Sequence, residues 1–190
     1  MTKSEIVTPE FSHSIAVANI GPRGLTVKIE ANESERQALA RRFDLLALDR
    51  LSASLRVTLT PAGVTVEGDM VADAVQRCVV TLGPVPEHID EHFVQRFSED
   101  APSDEELFAR IEEQGLDFLL DEDEPPEPIE NGRIDLGEAV VQQFAVLLDP
   151  YPRAPDAALQ LKRPGITLND ETPLDEENPF AKLATLREKS

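Results

Sequence analysis

From Leu51 onward the apolar residues of this 190-residue chain recur at every second position. Leu55, Val57 and Leu59 fall on one side of the alternation, with Arg56, Thr58 and Thr60 on the other. A period of two belongs to a strand with one buried and one solvated face, the pattern of antiparallel sheets. Pro61-Ala62-Gly63 ends the run as a tight turn, Gly63 supplying the left-handed position that a hairpin bulge needs. The alternation resumes from Val64 to Val71 and again from Ala72 to Leu82, which predicts two more strands of a meander, with Gly68 as a bulge or close-packing point. Pro84 and Pro86 are expected to break the sheet before a further strand, Ile89 to Phe97.

Elements on either side complete the fold. Ser14, Ala16 and Ala18 alternate with Ile15, Val17 and Asn19 as an edge strand before the Gly21-Pro22-Arg23-Gly24 turn, and a strand follows from Leu25 to Ala31. Asn32 and Glu35 form a capping box, and Leu39 and Phe43 recur at helical spacing, so a helix is expected from Glu33 to about Phe43. Asp135 and Glu138 repeat the box ahead of an apolar stripe of Leu136, Val140, Phe144, Leu147 and Leu148, a helix that ends before Pro150. The expected fold is α+β: a mainly antiparallel sheet of five to seven strands, two or three capped helices, and a disordered acidic insertion. Residues 1–97 and 131–152 are assigned to one core domain. Residues 98–130 are the insertion, in which DEELFARIEEQ has helical spacing and DEDEPPEPIE has none. Residues 153–190 are an extended acidic tail ending in a short docking helix capped by Asn178.

Charge is concentrated. The chain carries −19, of which −13 lies between Glu99 and Glu130, where fourteen acidic residues face one arginine. Direct binding to a phosphate backbone draws on clustered Lys and Arg, and no such cluster dominates here. The basic residues that come closest are Arg36, Arg41 and Arg42 on the first helix, joined by Arg50 and Arg56. With aromatics at 5% and Tyr151 the single tyrosine, the sheet lacks the stacking platform of single-strand binders. One Cys excludes an internal disulfide and fits a reducing compartment. The opening MTKSEIVTPEF has no apolar leader, and no run approaches the ~18 apolar residues of a membrane span, so a soluble cytoplasmic protein is expected.

Catalytic chemistry finds little foothold. Phosphate loops, G-x-S-x-G and H-E-x-x-H are absent from the sequence. Cys78 sits among apolar residues on its predicted strand face, with Arg77 on the opposite side, and reads as a small buried side chain rather than a nucleophile. His88 and His92 lie four apart in a strand-like stretch, with Asp90 and Glu91 between them, a surface arrangement. Asp121, Glu122, Asp123 and Glu124 lack the Gly and terminal Glu of a calcium loop. They read as a solvated run or as a docking arm for a cationic partner. No cofactor, no metal and no small-molecule substrate is expected, and the chain is not expected to be an enzyme.

Two blocks carry a resemblance to a known family. The first, VEGDMVADAVQRCVVTLGPV, contains Gly68, then Gln76, Arg77, Cys78, Val79 and Val80 with Thr81, Leu82 and Pro84. The second, IDLGEAVVQQFAVLLDPYPRAP, contains Asp135, Leu136, Gly137 and Glu138, then Asp149, Pro150, Tyr151 and Pro152. Together they resemble the YceD family, bacterial and plastid proteins linked to accumulation of large-subunit ribosomal RNA. NPFAKLATLREK, from Asn178 to Lys189, resembles the closing helix of the alphaproteobacterial branch. Many relatives have two Cys flanking the arginine of the first block. Here Val75 takes the earlier position, so zinc, which needs about four N or S ligands, is not expected.

The resemblance implies a non-catalytic ribosome-biogenesis factor that supports synthesis, processing or stability of large-subunit (23S) rRNA. Its gene-neighbourhood habit and the acidic balance point to a basic large-subunit ribosomal protein or a pre-ribosomal particle as partner, with no membrane involved. Asp149, Pro150, Tyr151, Pro152 and Arg153 then read either as a rigid exit from a structural helix or as a partner-binding corner, and the two are compatible. Direct RNA contact through Arg36, Arg41 and Arg42 is the alternative. Gly68, Cys78, Asp135 and Glu138 are assigned structural roles.

Overall fold

A computed structural model describes residues 9–114, 125–155 and Ala157. The chain divides into two units, Met1–Ala154 and Pro155–Ser190, and the architecture below is that of the first. Its elements are β1 (Ser14–Ala16), a 3-10 turn (Val17–Asn19), β2 (Leu25–Glu30), α1 (Glu33–Arg42), β3 (Ala47–Thr60), β4 (Gly63–Arg77), β5 (Pro84–Ser98), α2 (Asp104–Gln114), β6 (Glu127–Pro128), β7 (Arg133–Asp135) and α3 (Leu136–Leu147). The fold is α+β. A five-stranded sheet runs β2-β3-β4-β5-β6, and a two-stranded sheet joins β1 to β7. The large sheet is mixed, because β6 lies parallel to β5 while every other neighbour is antiparallel. No helix among the described residues is long and apolar enough to cross a membrane.

The alternation that opens at Leu51 does build the core. Leu51, Ala53, Leu55 and Val57 of β3 are buried, and Val64, Val66, Met70, Ala72 and Ala74 of β4 lie on the same side. Leu59 is the exception: it is 49% exposed, where β3 runs past the covering elements into the Pro61-Ala62 turn. Gly63 takes φ +136, with its Cα against the carbonyl of Phe97. The inner face is closed by α3, whose Leu136, Ala139, Val140, Val141 and Phe144 are buried, and by Leu39 of α1. Phe43 and Phe144 meet edge to face at 5.7 Å. Each such side chain withdrawn from water contributes about 1.5–3 kcal/mol.

Three sequence expectations need correction. Val64–Val71 and Ala72–Leu82 are one continuous strand, β4, ending at Arg77. Of the two roles open to Gly68, the close-packing one holds and the bulge does not: it pairs in register with Leu55, and a Cβ there would lie 2.1 Å from the Ser54 carbonyl oxygen. The glycine lets two backbones approach so that the strand can pass straight through. The bulge falls instead between Leu48 and Arg50.

Pro84 and Pro86 begin β5 rather than breaking the sheet. The reason lies in the hydrogen-bond phase. The two-residue turn makes Thr60 and Gly63 a hydrogen-bonded pair, so odd-numbered residues of β4 bond to β3 and even-numbered ones to β5. With the β4–β5 register, odd residues of β5 then face β4 and even residues face outward. The carbonyl of Ser98, an even residue, accepts from Ile129 N–H at 3.0 Å on that outer side, as the phase requires. Pro84 and Pro86 therefore sit where no ladder N–H is needed.

The third correction concerns the acidic insertion. Its helical half forms α2, with Ser103 and Glu106 exchanging cap hydrogen bonds. The end of DEDEPPEPIE is ordered too: Glu127 and Pro128 pair with Phe97 and Ser98 as β6, and Glu130 bridges to Arg133. Asp121 to Glu124, and the tail with its Asn178 helix, lie outside the described residues.

Candidate functional site

The two sequence blocks meet at one corner. β4 ends at Arg77, and the turn beyond it closes where Cys78 N–H donates to the Gly83 carbonyl (2.8 Å) and Leu82 N–H to the Cys78 carbonyl (3.0 Å). Leu82 holds φ +60, so it leaves the strand face assigned to it and stands 66% exposed. Cys78 likewise belongs to this turn and not to a strand. The second block arrives from α3, whose apolar stripe is followed by Asp149. The Asp149 carboxylate accepts from Tyr151 N–H at 2.8 Å, turning the chain over Pro150.

Three hydrogen bonds bind the blocks together. Gln76 donates from Nε2 to the Asp149 carbonyl at 2.9 Å, and Val79 N–H donates to the Pro152 carbonyl at 2.9 Å. Ala154 N–H donates to Cys78 Sγ at 3.3 Å. Pro152 is buried, whereas Asp149, Pro150, Tyr151 and Arg153 are exposed, Tyr151 to 70%. With Val79 (48%) and Leu82, Tyr151 gives the corner an exposed apolar group held on hydrogen-bonded backbone. Beside it a groove of about 320 Å³ opens between Phe43, Leu45, Gln76, Arg77 and Pro152.

Cys78 is fully buried. Val80 and Thr81 N–H groups approach Sγ at 3.4 and 3.3 Å, joining Ala154. The Ala154 N–H, then the Thr81 hydroxyl, hold the thiol down to about 7 against the opposing effect of burial. The donors stabilise a thiolate, but the sulfur has no exposed surface through which to meet a substrate. Glu87 responds in the other direction: burial raises its carboxyl, only partly offset by the Asp149 N–H. Gln76 Oε1 and Glu87 Oε2 are buried without a hydrogen-bond partner among the described residues.

Elsewhere the assigned residues are structural in what they touch. Asp135 caps α3 by accepting from Gly137 and Glu138 N–H, and it also takes His13 N–H at 2.8 Å and the Ser12 hydroxyl. Glu138 does not complete a capping box; it pairs with Arg42 at 3.2 Å. Arg42 also reaches Glu10 at 3.1 Å and lies over the Phe43 ring, while Arg36 donates to the Ala31 carbonyl at 2.6 Å. Arg36 and Arg42 are thus engaged within the fold, and among the described residues Arg41 makes no such contact. His88 and His92 each find a carboxylate across the ladder, Asp73 at 2.6 Å and Asp69 at 2.9 Å, which the local spacing did not reveal. Four strand positions separate the two pairs by about 13 Å. Among the described residues no three potential ligands converge on a metal position.

Sequence reasoning missed Gln76, Glu87 and Val79 as parts of the corner. A signal for Gln76 was present: it is the polar member of the otherwise apolar row Ala72, Ala74, Gln76, Cys78, and a polar side chain in such a row needs a partner.

In comparison with known proteins, the family described as "Large ribosomal RNA subunit accumulation protein YceD" matches residues 66–187, a span that takes in both blocks of the corner. Neither a curated protein nor a solved structure matches the chain.

Proposed function

We propose a binding role rather than a catalytic one for this chain, which belongs to the YceD family of large ribosomal RNA subunit accumulation proteins. In this reading it is a cytoplasmic ribosome-biogenesis factor that supports synthesis, processing or stability of 23S rRNA by holding a basic large-subunit ribosomal protein, free or in a pre-ribosomal particle. The observation that carries it is the corner itself. The family match spans both blocks, and what they build together is a fixed, partly apolar surface around Tyr151 with a sealed thiol, not a nucleophile with a base. A tyrosine between two prolines loses little entropy on binding. Asp121 to Glu124 supply charge for a cationic partner, whose association is steered over long range.

Affinity purification of the tagged chain from its own cells, with and without RNase, tests the reading. A basic large-subunit ribosomal protein should be retained after RNase and released at high salt. Recovery of RNA alone, or loss of every ribosomal protein on RNase treatment, would favour direct RNA contact through Arg36, Arg41 and Arg42. The ion pairs of Arg42 and the Arg36 contact to Ala31 weigh against that alternative.

A further inference from the structure

Among the described residues, one edge of the large sheet is long and open. β5 runs from Pro84 to Ser98, yet β6 covers it only at Phe97 and Ser98. The hydrogen-bond phase turns the backbone N–H and C=O groups of His88, Asp90, His92 and Val94 outward, away from β4. Among the described residues no backbone hydrogen bond reaches these four groups from the outer side. The slot is bounded at one end by Pro84 and Pro86, which have no N–H to offer, and at the other by β6. Between them lies room for a strand of ordinary length, about 5–6 residues.

The chemistry around the slot selects its occupant. From His88 to Val94 the sequence HIDEHFV carries two exposed carboxylates, Asp90 and Glu91, and no Lys or Arg. Asp69 and Asp73 of the neighbouring strand stand directly opposite His92 and His88 on the solvated face. An incoming strand would alternate its side chains between Asp90 with this acidic row on one face and Glu91 on the other. We propose that the outer edge of β5, from His88 to Val94, docks an extended Lys/Arg-rich segment of a protein partner, which adds to the sheet beside β5. Main-chain pairing supplies affinity and the carboxylates select a basic sequence. A second copy of this chain would bring one acidic edge against another. The opposite edge, β2, is six residues long and carries Lys28, so it lacks the same charge preference. The inference rests on the reading that the partner is a basic protein, and it assigns that partner a site distinct from the Tyr151 corner.

The test uses the full-length chain with two probes: an alternating Lys–Val decapeptide, and purified large-subunit ribosomal proteins assayed one at a time. Binding should slow hydrogen exchange at the amides of His88, Asp90, His92 and Val94. Asp90→Pro removes one outward N–H without touching the β4 ladder, so it should melt with the parent and bind roughly tenfold more weakly. Asp90→Asn with Glu91→Gln should weaken binding less and flatten its salt dependence. If Asp90→Pro fails to fold, the exchange pattern of the parent still decides. A ribosomal protein that binds while those four amides exchange as before overturns strand addition and leaves the proposed function standing. A decapeptide that protects them when no ribosomal protein binds supports the slot and overturns the proposed function. Protection that appears in the chain alone and grows with its concentration assigns the slot to a second copy and overturns the partner. Failure of both probes to protect the edge overturns the slot.

Discussion

Gln76 reaches across 73 residues of chain to donate from Nε2 to the carbonyl of Asp149 at 2.9 Å. The peptide segment that follows α3 is thus tied to the end of β4. The tie explains why a polar side chain occupies a buried position at the end of β4, and it sets the exposed Tyr151 at a fixed place on the sheet.

Gln76→Ala should therefore destabilise the chain by roughly 1–3 kcal/mol, because it strands the Asp149 carbonyl as well as removing a bond. Denaturant unfolding gives the magnitude. Hydrogen exchange at Tyr151 and Ala154 should rise more than at residues of β3, and a uniform rise would mean that the corner does not open as a unit.

Cys78 makes stability depend on pH above neutrality. Its folded value of about 7 lies below the ordinary thiol value of 9.0, so the native state favours the thiolate. The resulting stabilisation is complete above pH 9 and is lost as pH falls through 7. The stability gap between the parent and Cys78→Ala should consequently widen from pH 6 to pH 9. Thiolate absorbance of the folded protein should titrate near 7, and a transition above 9 would show that the three N–H groups do not act on the sulfur. Cys78→Ser, which can still accept those bonds, should keep rRNA levels near those of the parent.

Glu87 has the opposite sign. Burial lifts its folded pKa above the unfolded one, so its contribution is present below the unfolded value and is lost as pH rises through the raised value. Glu87→Gln keeps the shape of the side chain and removes the half-buried charge. Its melting temperature should exceed the parent's at pH 7, and the difference should shrink on approach to pH 4. A difference independent of pH would assign the effect to packing.

What the sequence disclosed was local. The Asn32–Glu35 box was legible because both partners sit within one turn and both bonds form as spacing predicts. The Asp135–Glu138 box was half legible: Asp135 caps its helix, but Glu138 answers to Arg42, which is 96 residues away. Strand lengths depended on a relation that no local pattern carries. A glycine within an alternation reads equally as a bulge or as a close approach, and only the pairing shows that Gly68 lies where the Ser54 carbonyl comes too close for any side chain. Pro84 and Pro86 read as breakers until the turn at Gly63 fixes which edge their missing N–H groups face. Cys78 could be read as buried, but its thiolate character comes from Ala154, 76 residues along the chain.

Gly68→Ala provides the stability counterpart to that reading. A methyl group placed 2.1 Å from a backbone oxygen cannot be relieved by a rotamer change, so β3 and β4 must separate locally. The cost should reach or exceed the upper end of the ~1–3 kcal/mol typical of overpacking. Measured unfolding free energies decide it, and a change within about 0.5 kcal/mol would show that the ladder yields freely at this point.

The acidic segment separates charge from structure. Removing residues 121–124 deletes four carboxylates, relieving repulsion within a stretch of net −13, so the melting temperature should stay level or rise slightly. Removing residues 121–130 also takes away β6 and the Ile129 N–H bond to Ser98, and should lower it. Both deletions should weaken binding of a basic ribosomal protein, and the parent's own binding should fall between about 0.05 and 0.5 M salt as exposed charges are screened. Calorimetric melting with titration at both salt levels checks all three statements. Equal melting of the two deletions would mean that β6 adds nothing to the sheet. Salt-insensitive binding that survives both deletions would place the contact on the apolar surface of Val79, Leu82 and Tyr151, where the energy of association comes from buried area and not from charge.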